Sequence, residues 1–240
     1  MNKQNKVEIT PGLEGYAAFP KGAGPFPGVL VFMEAYGVTG HVRGVCDRLA
    51  QAGFVGLAPD FFHGELIAYD DMQAAMAKIA TLKDEVLLQE VGAGLDWLLA
   101  QDRVRDDALG VIGFCMGGRL AYLSNCRFST RLKAAVSFYG AAIAPEAVGP
   151  DRFGRIPPLG ETAKMQAPLF LGYGAEDGGI PPAEHARVVA ALSGAKKRYA
   201  LNVYPGAGHA FLCEERANYA PTAAALAWRD AVDFLEVQLT

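Results

Sequence analysis

Val111-Ile-Gly-Phe-Cys115-Met-Gly-Gly-Arg-Leu-Ala121 is the stretch on which the reading of this chain turns. An apolar β-type run, Ala108 to Ile112, stops at Gly113, and a helix-type run, Met116 to Asn125, starts almost at once. Cys115 is left on the corner, framed as Gly113-Phe114-Cys115-Met116-Gly117. The frame is the G-x-S-x-G nucleophile elbow with cysteine in place of serine. A strand that turns directly into a helix strains its corner residue and brings strand and helix close together, so side chains at 113 and 117 would collide. The corner residue is pushed out above the sheet at a helix N-terminus, where the dipole and free N–H groups favour a thiolate. A glycine-flanked cysteine at such a junction also suits a small core residue, so the rest of the chain has to decide.

Composition narrows the field. A length of 240 residues with 51% hydrophobic and 20% charged content suits one soluble α/β domain spanning 1–240 and argues against disorder. A net charge of −4 leaves no basic surplus for nucleic acid and no polybasic run for an anionic membrane. No apolar run approaches the ~20 residues of a membrane span. The polar start, Met1-Asn-Lys-Gln-Asn-Lys6, has no signal-peptide core, so a cytoplasmic location is expected. Cys46, Cys115, Cys126 and Cys213 form no C-x-x-C pair. No metal site or cofactor is expected, and free thiols in a reducing compartment are. Oligomeric state is not legible; a monomer is the default expectation.

Working outward, Val7 to Ile9 and Gly15 to Phe19 read as strands about a Pro11-Gly12 turn. Gly28 to Met33 is a continuous apolar run, as a strand buried on both faces requires. Val38 to Ala52 (helix), Phe54 to Leu57 (strand), Asp70 to Ala80 and Asp84 to Gln101 (helices) follow, with 61–69 ambiguous. After the elbow come strands at Leu132 to Phe138, Pro168 to Tyr173 and Tyr199 to Tyr204, and helices at Pro182 to Leu192 and Thr222 to Leu239. Trp228, Val232, Leu235 and Leu239 are in step along the last helix, and Ala141 to Met165 is a long Pro/Gly-rich connection suggesting a functional loop. Alternation of strand and helix predicts a mainly parallel twisted sheet with helices on both faces, and ligands bind such sheets at the strands' carboxyl ends.

Glu34, Cys115, Tyr139, Asp177 and His209 each follow a predicted strand and so collect at that edge. Cys115, Asp177, His209 is the nucleophile–acid–histidine order of the α/β-hydrolase fold. His209 can take the thiol proton and return it to a leaving group, and Asp177 can fix the imidazole tautomer. The Met116 and Ala35 N–H groups are the candidate oxyanion donors. Tyr36, Tyr139 and Phe211 are expected against the substrate, with Phe61 and Phe62 adding apolar surface. Asp177 before Gly-Gly also fits a plain turn, and His209 a surface loop. Glu34 closes an apolar strand, where a carboxylate is costly to bury without a partner; it either meets solvent or an arginine, or faces Cys115 and governs the thiol proton. His41 and His185 read as solvated or capping helix residues, and His63 as a possible pocket residue. Cys46 and Cys126 read as core fillers, and Arg119 as structural.

Glu34-Ala-Tyr-Gly, Gly-Phe-Cys115-Met-Gly-Gly, Phe138-Tyr139-Gly140, Gly-x-x-Asp177-x-x-Ile-Pro and Gly-His209-Ala-Phe together resemble the dienelactone hydrolase (carboxymethylenebutenolidase) family, from about Val7 to Leu235. The resemblance implies an α/β-hydrolase that opens a small lactone or ester through a thiol acyl-enzyme. Cys115, Asp177 and His209 would be catalytic and Glu34 would regulate the thiol. The family's two carboxylate-binding arginines fall on Cys213 and near Gly64 here, so little preference for an anionic substrate is expected unless Arg216 supplies the cation. A general carboxylesterase or thioesterase on the same triad remains open, as does a non-catalytic thiol sensor on a hydrolase scaffold; the sensor has no need of Asp177 and His209.

Overall fold

The computed structural model describes residues 5–147, 149–151 and 153–240. Two strands, β1 (Lys6–Thr10) and β2 (Leu13–Ala18), form a hairpin around Gly12, whose φ of 87° suits glycine. Strands and helices then alternate. They are β3 (Phe26–Phe32), α1 (Gly40–Gln51), β4 (Val55–Pro59), α2 (Met72–Thr81), α3 (Asp84–Leu99), β5 (Val104–Phe114) and α4 (Met116–Arg127). The series continues with β6 (Ala134–Phe138), β7 (Leu169–Gly174), α5 (Pro182–Gly194), β8 (Tyr199–Tyr204) and α6 (Pro221–Leu239). A 3-10 helix, Pro158–Lys164, lies between β6 and β7.

All eight strands join one sheet in the order β1-β2-β4-β3-β5-β6-β7-β8. The β1–β2 and β2–β4 pairs are antiparallel, and every pair from β4–β3 to β7–β8 is parallel. Helices cover both faces, so the central strands carry apolar side chains at successive positions: Val29, Leu30, Val31 and Phe32 are fully buried, as are Val111 and Ile112. β5 starts earlier than its apolar run, because Val104 pairs with Phe26. The polar triplet Arg105-Asp106-Asp107 hides that extension from the sequence pattern, and Arg105 Nε donates to Asp107 Oδ1 at 3.0 Å.

The closing helix departs from expectation. Its buried stripe is Ala223, Ala224, Ala227, Ala231, Leu235 and Leu239, while Trp228 and Val232 flank it and are only partly buried. Alanines let α6 lie close to the sheet, and Trp228 instead receives the Arg48 guanidinium 4.9 Å from its ring centroid.

The connection after β6 is moored at both ends by charged side chains. Near its start, Glu184 Oε1 accepts the Ala144 N–H at 3.0 Å and Arg187 Nε donates to the Ala144 carbonyl at 2.7 Å. Near its exit, Arg119 donates to the Ile156 carbonyl at 2.9 Å while gripping both oxygens of Asp84 at 2.7 and 2.8 Å. Between them, Asp151 accepts the N–H groups of Phe153 and Arg155, both at 2.9 Å, and its other oxygen accepts the Arg155 guanidinium. Arg119 is structural, as expected, but the connection that it holds is not evident from spacing.

His41 corrects a sequence expectation. It is fully buried, edge-on to Phe114 at 5.5 Å, and its Nδ1 donates to Glu214 Oε2 at 2.8 Å. The bond ties α1 to the segment that follows His209. His185 is half-buried and stacks on Tyr173 at 4.1 Å, and His63 is exposed and pairs with Glu90 at 3.0 Å, away from the cavity described below. Among the described residues, no helix is long and apolar enough to cross a membrane.

The hydrogen bond from His41 holds the Glu214 carboxyl down at about 2, against an ordinary 4.5. A depressed carboxyl stabilises the fold above its unfolded pKa and loses that contribution as pH falls through the folded one. Glu214→Gln should therefore weaken the dependence of the urea midpoint on pH between about 4.5 and 2, and an unchanged dependence in that window would count against the tie.

Candidate active site

Cys115 sits between β5 and α4 with φ 56° and ψ −116°. The backbone is strained there because strand and helix meet without an intervening loop. Close packing holds it in place. A Cβ on Gly113 would overlap the Gly117 carbonyl, and one on Gly117 would lie 2.6 Å from the Met33 oxygen. The Cys115 N–H donates to Phe138 O at 3.1 Å, and its carbonyl accepts the Arg119 N–H at 3.2 Å. Cys115 is half-buried and faces a cavity of about 1040 Å³ at the carboxyl edge of the sheet. Ala35, Tyr36, Met116, Asp177 and His209 share its lining. Among the described residues, no hydrogen bond occupies the backbone N–H of Ala35 or Met116, as donors reserved for an oxyanion require.

Asp177 and His209 reach the cavity from neighbouring strand ends. The two loops are laced together by the Glu176 N–H, which donates to Ala207 O at 2.9 Å. Asp177 is 5% exposed; its Oδ1 accepts the Gly179 N–H at 2.9 Å and its Oδ2 accepts His209 Nδ1–H at 2.7 Å. With Nδ1 committed, Nε2 remains for Cys115. Burial alone would lower the His209 pKa, but negative charge at Cys115 and the bond that the imidazole donates to Asp177 outweigh it and lift the imidazole to about 10. The geometry joins a thiol, a tautomer-fixed imidazole and a carboxylate at one cavity.

The three residues expected against the substrate separate. Tyr36 lines the cavity. Tyr139 and Phe211 do not: both are fully buried, packed edge to face at 5.6 Å. Tyr139, with φ 37°, lies 5.2 Å from the His209 ring and so backs the imidazole rather than touching the cavity. Phe61 and Phe62 are likewise buried in the core and supply none of the cavity surface.

Glu34 is 3% exposed; among the described residues neither of its oxygens has a hydrogen bond of good geometry, and the Tyr139 phenol is the polar group that interacts with it from behind. The Glu34 carboxylate therefore meets neither solvent nor Cys115 directly. Its Oε2 lies 3.7 Å from Arg216 Nη1. Burial, followed by the charge on Glu34, pushes the Tyr139 phenol well above its usual range. Arg216 lines the cavity, stacked over Tyr36 at 5.1 Å and Tyr69 at 6.0 Å. Arg216 thus stands on the cavity wall, as do Arg119 and Arg155, while positions 213 and 64 are Cys213 and Gly64. Sequence gave no signal for Arg216 beyond proximity to His209, because the aromatic faces that aim the guanidinium come from Tyr36 and Tyr69. Cys213 is buried beneath this group, its Sγ 3.5 Å from the Tyr69 hydroxyl.

The sheet order and the corner cysteine define an α/β-hydrolase. The chain matches the dienelactone hydrolase family over residues 13–239 and belongs to it; it is a hydrolase of lactone or ester bonds. A Synechocystis sp. protein bearing the carboxymethylenebutenolidase name is 33% identical over 95% of this chain and 92% of its own length. A Bradyrhizobium sp. protein bearing the name 2-oxo-3-(5-oxofuran-2-ylidene)propanoate lactonase is also 33% identical, over 93% of this chain and 89% of its own. A crystal structure from Klebsiella pneumoniae subsp. pneumoniae, described as a dienelactone hydrolase, superposes with a TM-score of 0.85 at 31% identity, covering 93% of this chain and 92% of that one.

Burial pushes the thiols of Cys46 and Cys126 up, the latter to about 12, and burial with the Glu34 charge lifts Cys213 to about 11. Cys115 alone among the cysteines lines the cavity. Iodoacetamide on the folded protein should therefore add one equivalent, mapping to the Cys115 peptide. Labelling of Cys213 at a comparable rate would contradict this.

Proposed function

We propose that the chain hydrolyses a lactone or ester through a thioester on Cys115. The Cys115 thiolate adds to the substrate carbonyl carbon, and the resulting oxyanion accepts hydrogen bonds from the Ala35 and Met116 N–H groups. Collapse of the adduct breaks the C–O bond, and His209 Nε2–H protonates the departing alkoxide. In a lactone the alkoxide stays tethered to the acyl group. Water then attacks the thioester as His209 takes its proton, the oxyanion re-forms at the same donors, and the acid leaves with the thiolate restored. Asp177 keeps the imidazole in the tautomer that both half-reactions need.

What carries this reading is the conjunction of a strained cysteine corner and a 2.7 Å His209–Asp177 pair on one cavity. A sensor thiol has no use for the second element. Rapid-quench mass spectrometry with a slow ester should reveal an acyl adduct on Cys115, and Cys115→Ala should lose about a thousandfold or more in kcat. Turnover that survives the substitution would overturn the mechanism.

Arg216 directs the substrate. Among the described residues its guanidinium stacks on Tyr36 and Tyr69 and reaches Glu34 at 3.7 Å, and it faces the cavity, where a substrate carboxylate can accept hydrogen bonds from it. That anion competes with Glu34 for the cation and frees the Glu34 carboxylate to turn toward the thiol. A preference for anionic lactones replaces the indifference that the sequence suggested. Arg216→Gln should cost about tenfold to a hundredfold in kcat/KM for a carboxylate-bearing lactone and far less for its methyl ester. Equal losses for both would remove Arg216 from substrate binding. Glu34→Gln should lower kcat with KM little changed, and a wild-type kcat would leave Glu34 a structural role.

A further inference from the structure

Arg216 stands in a segment with no helix or strand to aim its side chain. After His209 the backbone runs through successive turns. The Cys213 N–H donates to Ala210 O at 3.0 Å, the Arg216 N–H to Cys213 O at 3.1 Å and the Tyr219 N–H to Arg216 O at 3.1 Å. These turns fix where the Arg216 side chain begins, not where its long, rotamer-rich stem ends. The 3.7 Å pair with Glu34 is too long to fix the guanidinium.

Tyr69 supplies the missing hold in two ways. Its ring packs against Tyr36 with centroids 4.7 Å apart, and the guanidinium lies over both rings. Its hydroxyl donates to Oε2 of Glu215, the residue next to Arg216, at 2.9 Å. The same hydroxyl lies 2.9 Å from Thr39 Oγ1 and accepts the Cys213 S–H at 3.5 Å. Glu215 is in turn seated against the start of α1: a Cβ on Gly40, the first residue of that helix, would overlap its carboxylate. The helix dipole favours negative charge there. Burial, followed by the bond from Cys213, pushes the Tyr69 phenol up, so its proton stays in place to be donated. Among the described residues, those lining the cavity include Tyr36 and Arg216 but not Tyr69.

Resting on the hydrolase reading above, with Arg216 as the group that takes a substrate carboxylate, we propose that Tyr69 is a positioning residue that sets the preference for anionic substrates. Its ring backs the guanidinium, and its hydroxyl ties the segment carrying Arg216 to the start of α1. A guanidinium aimed beforehand gives up less freedom when a carboxylate arrives, so the gain falls on charged substrates.

The test compares a carboxylate-bearing lactone with its methyl ester on the wild type, Tyr69→Phe, Tyr69→Leu, Arg216→Gln and the Tyr69→Leu, Arg216→Gln double variant. Tyr69→Phe keeps the ring and loses the hydroxyl. It should lower kcat/KM for the acid about fivefold to tenfold, chiefly through KM, and far less for the ester. Tyr69→Leu loses both and should cost the acid more, approaching the loss in Arg216→Gln. In the double variant Tyr69→Leu should cost the acid no more than the ester, because the cation it aims is gone. Equal losses for acid and ester in the Tyr69 variants, or additive losses in the double variant, would overturn the inference while leaving the hydrolase reading and Arg216 in place. If Arg216→Gln itself treats acid and ester alike, Arg216 has no part in holding the carboxylate and Tyr69 has nothing to aim, which overturns both. If neither substrate is turned over, the hydrolase reading fails separately. Phenylglyoxal labelling of Arg216, followed by peptide mapping, then still reads the hold: labelling several-fold faster in Tyr69→Leu than in the wild type supports it, and an equal rate overturns it.

Discussion

Everything at this site depends on how closely three backbone segments approach one another around Cys115. The end of β3, the end of β5 and the first turn of α4 meet without side chains between them, because Gly113 and Gly117 occupy the contact. Holding a non-glycine residue at positive φ costs on the order of 1–3 kcal/mol, and the hydrogen bonds across to Phe138 and forward to Arg119 offset it. Tyr139 and Ala210 are held at φ 37° and 62° beside the same site. The strain is thus spread over the nucleophile corner, the residue behind the imidazole and the residue after His209. A packed sheet of eight strands supplies the rigidity that keeps all three in place.

Two ion pairs of different character share that rigid edge. The His209–Asp177 pair is short and its outer oxygen is satisfied by Gly179, so it fixes a geometry. The Glu34–Arg216 pair is long, and among the described residues the buried Glu34 oxygens have no hydrogen bond of good geometry, so it fixes very little. A buried carboxylate left in this condition is costly to keep. One pair is short and fixes the imidazole, and the other is long and leaves its carboxylate poorly bonded.

Much of this is legible in the amino-acid sequence. The alternation of apolar runs with amphipathic ones fixed the sheet and its helices, and the triad residues announced themselves by following strands at glycine-rich turns. The failures share one physical origin, that a side chain's surroundings are set by distant segments. His41 has the local pattern of a solvated helix residue, yet Glu214 comes to it across the fold. Phe61 and Phe62 are near Cys115 in no sense that spacing could deny or affirm, and they fill the core. Tyr139 and Phe211 are at the right edge but point behind the imidazole. Arg216 is aimed by two tyrosines far upstream. On α6, hydrophobicity ranked Trp228 above the alanines, whereas close helix–sheet packing selects small residues.

The connection moored at Ala144 and Ile156 bears on how such an enzyme can diverge. Its two ends are clamped by Glu184, Arg187 and Arg119, none of which is supplied by the intervening residues. Lengthening a loop whose ends are already brought together costs little, only about 0.6 kcal/mol for each doubling. Ala147, Gly149, Pro150 and Asp151 of the segment border the cavity, while the clamps sit on α4 and α5. Residues there can be exchanged or inserted through drift without disturbing the elbow or the imidazole. The fold thereby separates the part of the molecule that performs chemistry from a part free to vary in what it admits.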